Sequence, residues 1–99
     1  MEMGRGGEDV SLPEYVGDPI LVQARFLPEG GVQPAAFIWR NRTRYVAALG
    51  REWEEEVEGT LWRCYLVQTP TAETFELRLD PAGMRWVLAR TWLKAAAEA

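Results

Sequence analysis

Apolar and polar residues alternate in six short stretches of the chain, which is the pattern of strands with one buried face. These stretches are residues 19–26, 35–40, 43–49, 61–69, 74–80 and 84–93. Turn-forming residues separate several of them, as in LPEGG at 27–31, PTAE at 70–73 and DPAG at 80–83. Asn41 tolerates the left-handed conformation and predicts a tight hairpin after the second stretch.

The clearest alternation is TFELRLD, in which Phe75 and its apolar neighbours face inward and Glu76 faces outward. In the last stretch the same period places Arg90 on one face with Trp86 and Leu88. These assignments predict which side chains form the core of the sheet.

Closely spaced strands without intervening helices predict an all-β antiparallel domain. A small barrel or a rolled sheet of about six strands would leave the fewest exposed edges. We expect one domain over residues 18–99, a flexible N-terminal lead-in over 1–17 and a short helical tail over 94–99. No internal repeat is present.

The segment GREWEEEVEG at 50–59 fits an amphipathic helix, an acidic loop or a continued strand. Gly50 and Gly59 bracket it and favour a solvated excursion between two strands. Its glutamates lack the spacing and turn glycine of a calcium loop, so we expect no metal site here.

The chain has 99 residues and no histidine, which removes the commonest general base and metal ligand. Cys64 is the only cysteine, so an internal disulfide and a structural zinc site are excluded. Cys64 is expected to be a packed, inert thiol. The sequence therefore predicts a protein that is not an enzyme and carries no cofactor or metal.

The chain contains no apolar run long enough to span a bilayer and no secretory leader, which predicts a cytoplasmic protein without membrane contact. Arginine outnumbers lysine ten to one and amide residues are few. This bias is typical of GC-rich bacterial coding sequences and is also compatible with a thermophile.

The most distinctive local feature is the run WRNRTRY at 39–45, in which Arg40, Arg42 and Arg44 alternate between Trp39 and Tyr45. Like charges on one face repel, and an anionic partner would relieve that repulsion. The alternative interpretation pairs these arginines with the chain's own carboxylates between Glu52 and Glu58.

Five tryptophans are enough to fill a small core, and one or two of them are expected at the surface. Trp62 is the best candidate for exposure, and Arg63 could extend the basic patch. The predicted binding surface comprises Trp39, Arg40, Arg42, Arg44, Tyr45, Trp62 and Arg63.

The segments FIWRNRTRYVAAL, WRCYLVQT, TFELRLD and MRWVLARTW resemble a small bacterial all-β domain family of uncharacterised function. The resemblance covers about residues 18–93 and rests on a hairpin of the Trp-Arg-x-Arg-x-Tyr type and a closing Trp-x-Leu-x-Arg-x-Trp strand. Asn41 departs from the family pattern, which has glycine there. Some relatives lie beside proteins similar to damage-tolerance DNA polymerases. The resemblance thus implies a nucleic-acid context and no catalytic residues.

Three hypotheses follow for function. The first is an interaction module that binds another protein through the Arg/aromatic hairpin, which the net charge of −4 favours. The second is a single-stranded nucleic-acid-binding accessory domain, since arginine beside exposed aromatics is how such strands are held. The third is a homodimer or other homo-oligomeric structural protein joined through exposed aromatics. Catalysis by carboxylates alone is the least favoured alternative.

Overall fold

The computed structural model describes residues 13–92, which form seven antiparallel strands and no helix. The strands are β1 (Glu14–Phe26), β2 (Val32–Trp39), β3 (Arg42–Tyr45), β4 (Ala48–Val57), β5 (Thr60–Gln68), β6 (Thr74–Asp80) and β7 (Arg85–Trp92). Their order across the sheet is β3-β2-β1-β7-β6-β5-β4. This part of the chain contains no helix with the length and hydropathy needed to cross a bilayer.

The long strand β1 belongs to both halves of the sheet. Its first half pairs with β7, from Glu14 opposite Thr91 to Ile20 opposite Trp86. Its second half pairs with β2, from Leu21 opposite Ile38 onward. The sheet can therefore curl, and β2 comes to lie over the face formed by β5, β6 and β7.

Curling of the sheet creates one aromatic core on its concave face. The ring of Phe37 on β2 meets the ring of Phe75 on β6 edge to face, with 5.2 Å between centroids, and Trp39 meets Phe75 in the same way at 5.9 Å. The hydroxyl of Tyr65 donates a hydrogen bond to the carbonyl of Val32 at 2.7 Å. The buried core cluster consists of Phe37, Trp39, Tyr65, Val67, Phe75, Leu77, Leu79 and Leu88.

The two edge strands, β3 and β4, are consecutive in the chain. The two residues that connect them form hydrogen bonds to both halves of the sheet. The N–H of Val46 donates to the carbonyl oxygen of Ala35 on β2 at 2.9 Å, and the N–H of Ala47 donates to the carbonyl oxygen of Gln68 on β5 at 2.7 Å. The edges thus converge at this corner, but β3 and β4 do not pair with each other. The predicted all-β antiparallel class is confirmed, and the sheet is open rather than a closed barrel.

Several predicted boundaries differ from the observed ones. β1 starts at Glu14, inside the segment expected to be a flexible lead-in, because residues 14–20 find a partner in β7. The excursion predicted for 50–59 is wrong: this segment is mostly strand, and only Glu58 and Gly59 form a turn, with φ of 52° and 84°. The expected tail over 94–99 lies outside the described residues.

A β-bulge opposite Glu76 and Leu77 changes which side chains of β7 share a face, so the predicted faces of this strand are wrong in part. Leu77 pairs with Leu88, yet the preceding residue Glu76 pairs with Arg90. The extra residue on β7 shifts the alternation, because two residues there oppose one on β6. Arg90 therefore lies on the convex face with Glu76, and not with Trp86 as the sequence predicted.

Candidate binding site

The predicted tight hairpin between β2 and β3 is present, and its geometry places the arginines together. Arg40 and Asn41 are the two turn residues, with φ of 52° and 62°, the signature of a two-residue hairpin. Arg42 pairs with Trp39, and Arg44 pairs with Phe37. Paired residues share a face of a sheet, so Arg42 and Arg44 lie on the concave face.

Trp39 supports the arginines instead of contributing an exposed ring. It is only 4% exposed, and its indole Nε1 donates a hydrogen bond to Asp18 Oδ2 at 2.9 Å. The guanidinium carbon of Arg40 lies 4.2 Å from the ring centroid of Trp39, and that of Arg44 lies 5.0 Å away. Trp39, predicted to be part of the contact surface, instead has its ring covered by the arginines and the core.

Arg44 is the most constrained of the three cations. Its Nη1 donates to the carbonyl oxygen of Trp39 at 3.0 Å, and its guanidinium lies 5.5 Å from the ring centroid of Phe75. Burial lowers the pKa of Arg44, Glu73 raises it, and the positive charges of Arg42 and Arg40 lower it further. The group stays protonated at neutral pH, and its charge is opposed by its neighbours.

Self-neutralisation of the hairpin by the glutamate-rich segment is not observed. Among residues 13–92, no carboxylate forms an ion pair with Arg40, Arg42 or Arg44, whereas Glu52, Glu54 and Glu55 of β4 pair with other arginines. Arg63 bridges Glu52 at 3.4 Å and Glu54 at 3.1 Å. We name the segment 39–45 the arginine hairpin; it is a cationic cluster resting on buried aromatics.

Three other predicted surface residues lie apart from this cluster. Tyr45 is 62% exposed but pairs with Ala36, so it projects from the opposite face of the hairpin. Trp62 is half-buried on the convex face of β5. Arg63 pairs with Leu79 at the far end of β6 from Phe75 and is held by its two glutamates. The seven predicted residues thus do not form one surface.

A buried ionic cluster on the convex face was missed by the sequence reasoning. Glu76 is 0% exposed; its Oε2 accepts from Arg78 Nε at 2.7 Å, and its Oε1 accepts from Arg90. Arg78 also reaches Glu55, with 3.3 Å between Nη2 and Oε1. One feature of the sequence could have indicated the burial of this ionic cluster: the outer face of the sheet also carries the apolar residues Cys64, Leu66, Val87 and Ala89.

Ligand atoms of Glu55, Cys64 and Glu76 lie within 4.8 Å of one another, the spacing of a metal site. Both oxygens of Glu76 already accept hydrogen bonds from guanidinium groups, and burial raises the pKa of the Cys64 thiol to about 11. A protonated thiol and an occupied carboxylate are poor metal ligands.

A shallow apolar groove of about 350 Å³ lies beside this ionic cluster, between β1, β5 and β7. Its lining residues are Tyr15, Val16, Gly17, Val57, Trp62, Arg78, Val87 and Ala89. Arg78 contributes the polar wall, but Glu76 and Glu55 neutralise its charge. The groove therefore offers apolar contact without a free charge.

Comparisons with family models, with curated proteins and with solved structures returned no match to this chain. The resemblance to the bacterial family with the Trp-Arg-x-Arg-x-Tyr hairpin stays a prediction, and so does the nucleic-acid context that it implies.

Proposed function

We propose that this protein is a non-enzymatic interaction module whose arginine hairpin binds an acidic segment of a protein partner. The observation that carries the proposal is the group of three arginines without ion pairs in the described chain, two of them stacked on Trp39. Arginine offers a rigid fork of donors that matches carboxylates in a bidentate way.

Stacking on Trp39 supports binding because it orders the cations before a partner arrives. A guanidinium over an indole ring is held by about 0.5–2 kcal/mol, depending on its exposure. Less side-chain entropy is then lost on binding. A carboxylate row would also remove the repulsion among Arg40, Arg42 and Arg44 that lowers the pKa of Arg44.

A protein partner is favoured over a single-stranded nucleic acid by the position of the aromatics. Bases are gripped by stacking on accessible rings, typically interleaved with arginine. Here Trp39 is buried, and exposed Tyr45 lies on the other face of the hairpin from Arg42 and Arg44. The cationic cluster therefore lacks the stacking surface that a nucleic acid requires.

The test is an amide NMR titration of labelled protein with a ten-residue peptide of alternating Glu and Ala. We expect shifts confined to residues 39–45, fading as salt screens the charges. Arg42→Gln with Arg44→Gln should weaken binding about tenfold, the effect of losing roughly 1.4 kcal/mol. Arg25→Gln with Arg51→Gln is the matched control, because it also removes two exposed arginine charges, and Arg51 also lies over an indole, that of Trp53.

The proposal fails if the peptide leaves residues 39–45 unchanged, or if the Arg42 and Arg44 double variant binds it as well as the Arg25 and Arg51 double variant. A short mixed-sequence single-stranded DNA titrated in parallel separates the partner classes. Tighter binding of the DNA than of a peptide of equal charge would assign the surface to nucleic acid instead.

A further inference from the structure

The edge strand β4 carries a row of acidic side chains with the same spacing, and on the same face of the sheet, as the arginines of the arginine hairpin. Glu52, Glu54 and Glu56 pair with Tyr65, Arg63 and Leu61 of β5. Tyr65 belongs to the core, so this row lies on the concave face of the sheet. Alternate residues of a strand repeat every 6.6 Å or so.

The basic row has the same spacing and lies on the same face. Arg42 and Arg44 are two residues apart on β3 and share the concave face with Trp39 and Phe37. Arg40 extends the row into the turn, with its guanidinium also over Trp39. Two rows of opposite charge, with matched spacing, thus occupy the two edge strands of one sheet.

The two rows do not neutralise each other within one molecule. No ion pair joins the arginine hairpin to β4 among residues 13–92. Glu52 and Glu54 share Arg63, and Glu56 has no ion pair in the described part of the chain. Both edges therefore keep charge available for a contact between molecules.

We propose that the partner of the arginine hairpin is the glutamate-bearing strand β4 of a second copy of this chain. This inference rests on the proposed function, because it names the source of the acidic segment. In an antiparallel sheet of seven strands the first and last strands run in the same direction. With concave faces on the same side, β3 then runs parallel to β4 of the second copy, and Arg42 and Arg44 face two successive glutamates of its row. We assign these to Glu54 and Glu56, because Glu56 has no ion pair among the described residues.

The contact joins two different surfaces, so it is heterologous and leaves one free row on each end of the pair. Exposed ion pairs are individually weak and are screened by salt. The protein should therefore be a monomer in dilute solution or at high ionic strength, and should associate at high concentration and low ionic strength.

The experiment is sedimentation velocity on the full chain at about 20 mM and about 500 mM salt, chosen so that the screening length changes severalfold. We expect the sedimentation coefficient to rise with protein concentration at low salt only. Arg42→Glu with Arg44→Glu should abolish this rise, and so should Glu54→Lys with Glu56→Lys. Glu14→Lys with Glu29→Lys makes the same change of net charge as the Glu54 and Glu56 variant, at exposed sites elsewhere, and should preserve this rise.

An equimolar mixture of the two non-associating variants is the decisive sample. The glutamates introduced into one hairpin face the lysines introduced into the other β4, and the unaltered arginine hairpin of the second variant faces the unaltered β4 of the first. Both contacts bring opposite charges together, so the mixture should associate at low salt although neither variant does so alone. Circular dichroism establishes that each variant is folded.

A wild-type protein that stays monomeric at low salt, a mixture that does not associate, or variants that associate like the wild type would overturn the inference. If the acidic peptide binds a protein that remains monomeric, self-association is refuted and the proposed function stands. If neither occurs, both are refuted.

Discussion

Replacing Glu76 with glutamine should destabilise the domain far more than any other single charge removal. The substitution keeps the shape of the side chain and removes its charge. Glu76 is fully buried, and its two oxygens are shared between Arg78 and Arg90, whose side chains are 18% and 25% exposed. The variant leaves two partly buried guanidinium groups without their common counter-ion and turns one acceptor into a donor facing another donor.

The size of the effect follows from these exposures. Removing one partner of a buried ion pair costs about 3–5 kcal/mol, and an exposed pair contributes at most about 1 kcal/mol. The arginines retain some contact with water, and Glu55 remains 3.3 Å from Arg78. We therefore expect the free energy of unfolding to fall by about 2–4 kcal/mol. This loss is smaller than the total stability of a typical domain, so the variant should still fold.

The assay is urea unfolding followed by tryptophan fluorescence. With a slope of about 2 kcal/mol per molar urea, the midpoint of Glu76→Gln should fall by roughly 1–2 M. Glu55→Gln is the matched control: it removes an exposed carboxylate from the same cluster and should cost less than about 1 kcal/mol. The triple variant Glu76→Leu, Arg78→Met, Arg90→Met should recover most of the loss, because apolar residues can replace a buried ionic cluster.

A Glu76→Gln variant no less stable than Glu55→Gln would refute this reasoning, since the cluster would then be solvated in solution. If Glu76→Gln does not fold, the triple variant decides the question. Its failure to fold would show that the outer face needs the charges themselves.

Three further predictions concern other parts of the fold. Because its pKa is about 11, Cys64 should resist iodoacetamide at pH 8 in the folded protein and react in denaturant, as mass spectrometry would reveal; alkylation of folded protein would contradict this. The hydrogen bond from Arg85 lowers the pKa of Asp80, so this carboxylate stabilises the fold above the unfolded-state pKa of about 3.9, and the contribution is lost as pH falls through the lower folded-state pKa. Urea midpoints between pH 6 and 2 should therefore fall less steeply for Asp80→Asn than for wild type, and equal slopes would count against the pairing. Asn41→Val should cost about 1–3 kcal/mol, because a β-branched residue is strained at positive φ, whereas Asn41→Gly should change stability by less than about 0.5 kcal/mol; equal urea midpoints for the two would contradict the turn geometry.

The strands were predictable where one face is apolar and the other polar. TFELRLD matches β6 at both ends, and the tight turn before Arg42 follows from Asn41. The segment 50–59 was not predictable in this way, because β4 is an edge strand with glutamates on both faces. Alternation disappears when neither face of a strand is fully covered.

The candidate site was predictable in part, and its errors have local causes. The sequence marked the cationic hairpin through the alternation of Arg40, Arg42 and Arg44, and Trp39 lies on the buried face of β2. It could not show that the arginines share that face, since their stacking over Trp39 depends on β2 folding across the sheet. The contact of Glu76 with Arg90 depends on a bulge, which the alternation of residues in β7 does not reveal.

The shared strand β1 has a consequence for how the domain is made in the cell. Its first half has no hydrogen-bonding partner until β7, where Glu14 meets Thr91, has left the ribosome. At about 5–20 residues per second, this wait is on the order of ten seconds. Before β7 emerges, the nascent chain can pair only strands that are consecutive in the sequence, and the sheet closes around β1 once β7 is available.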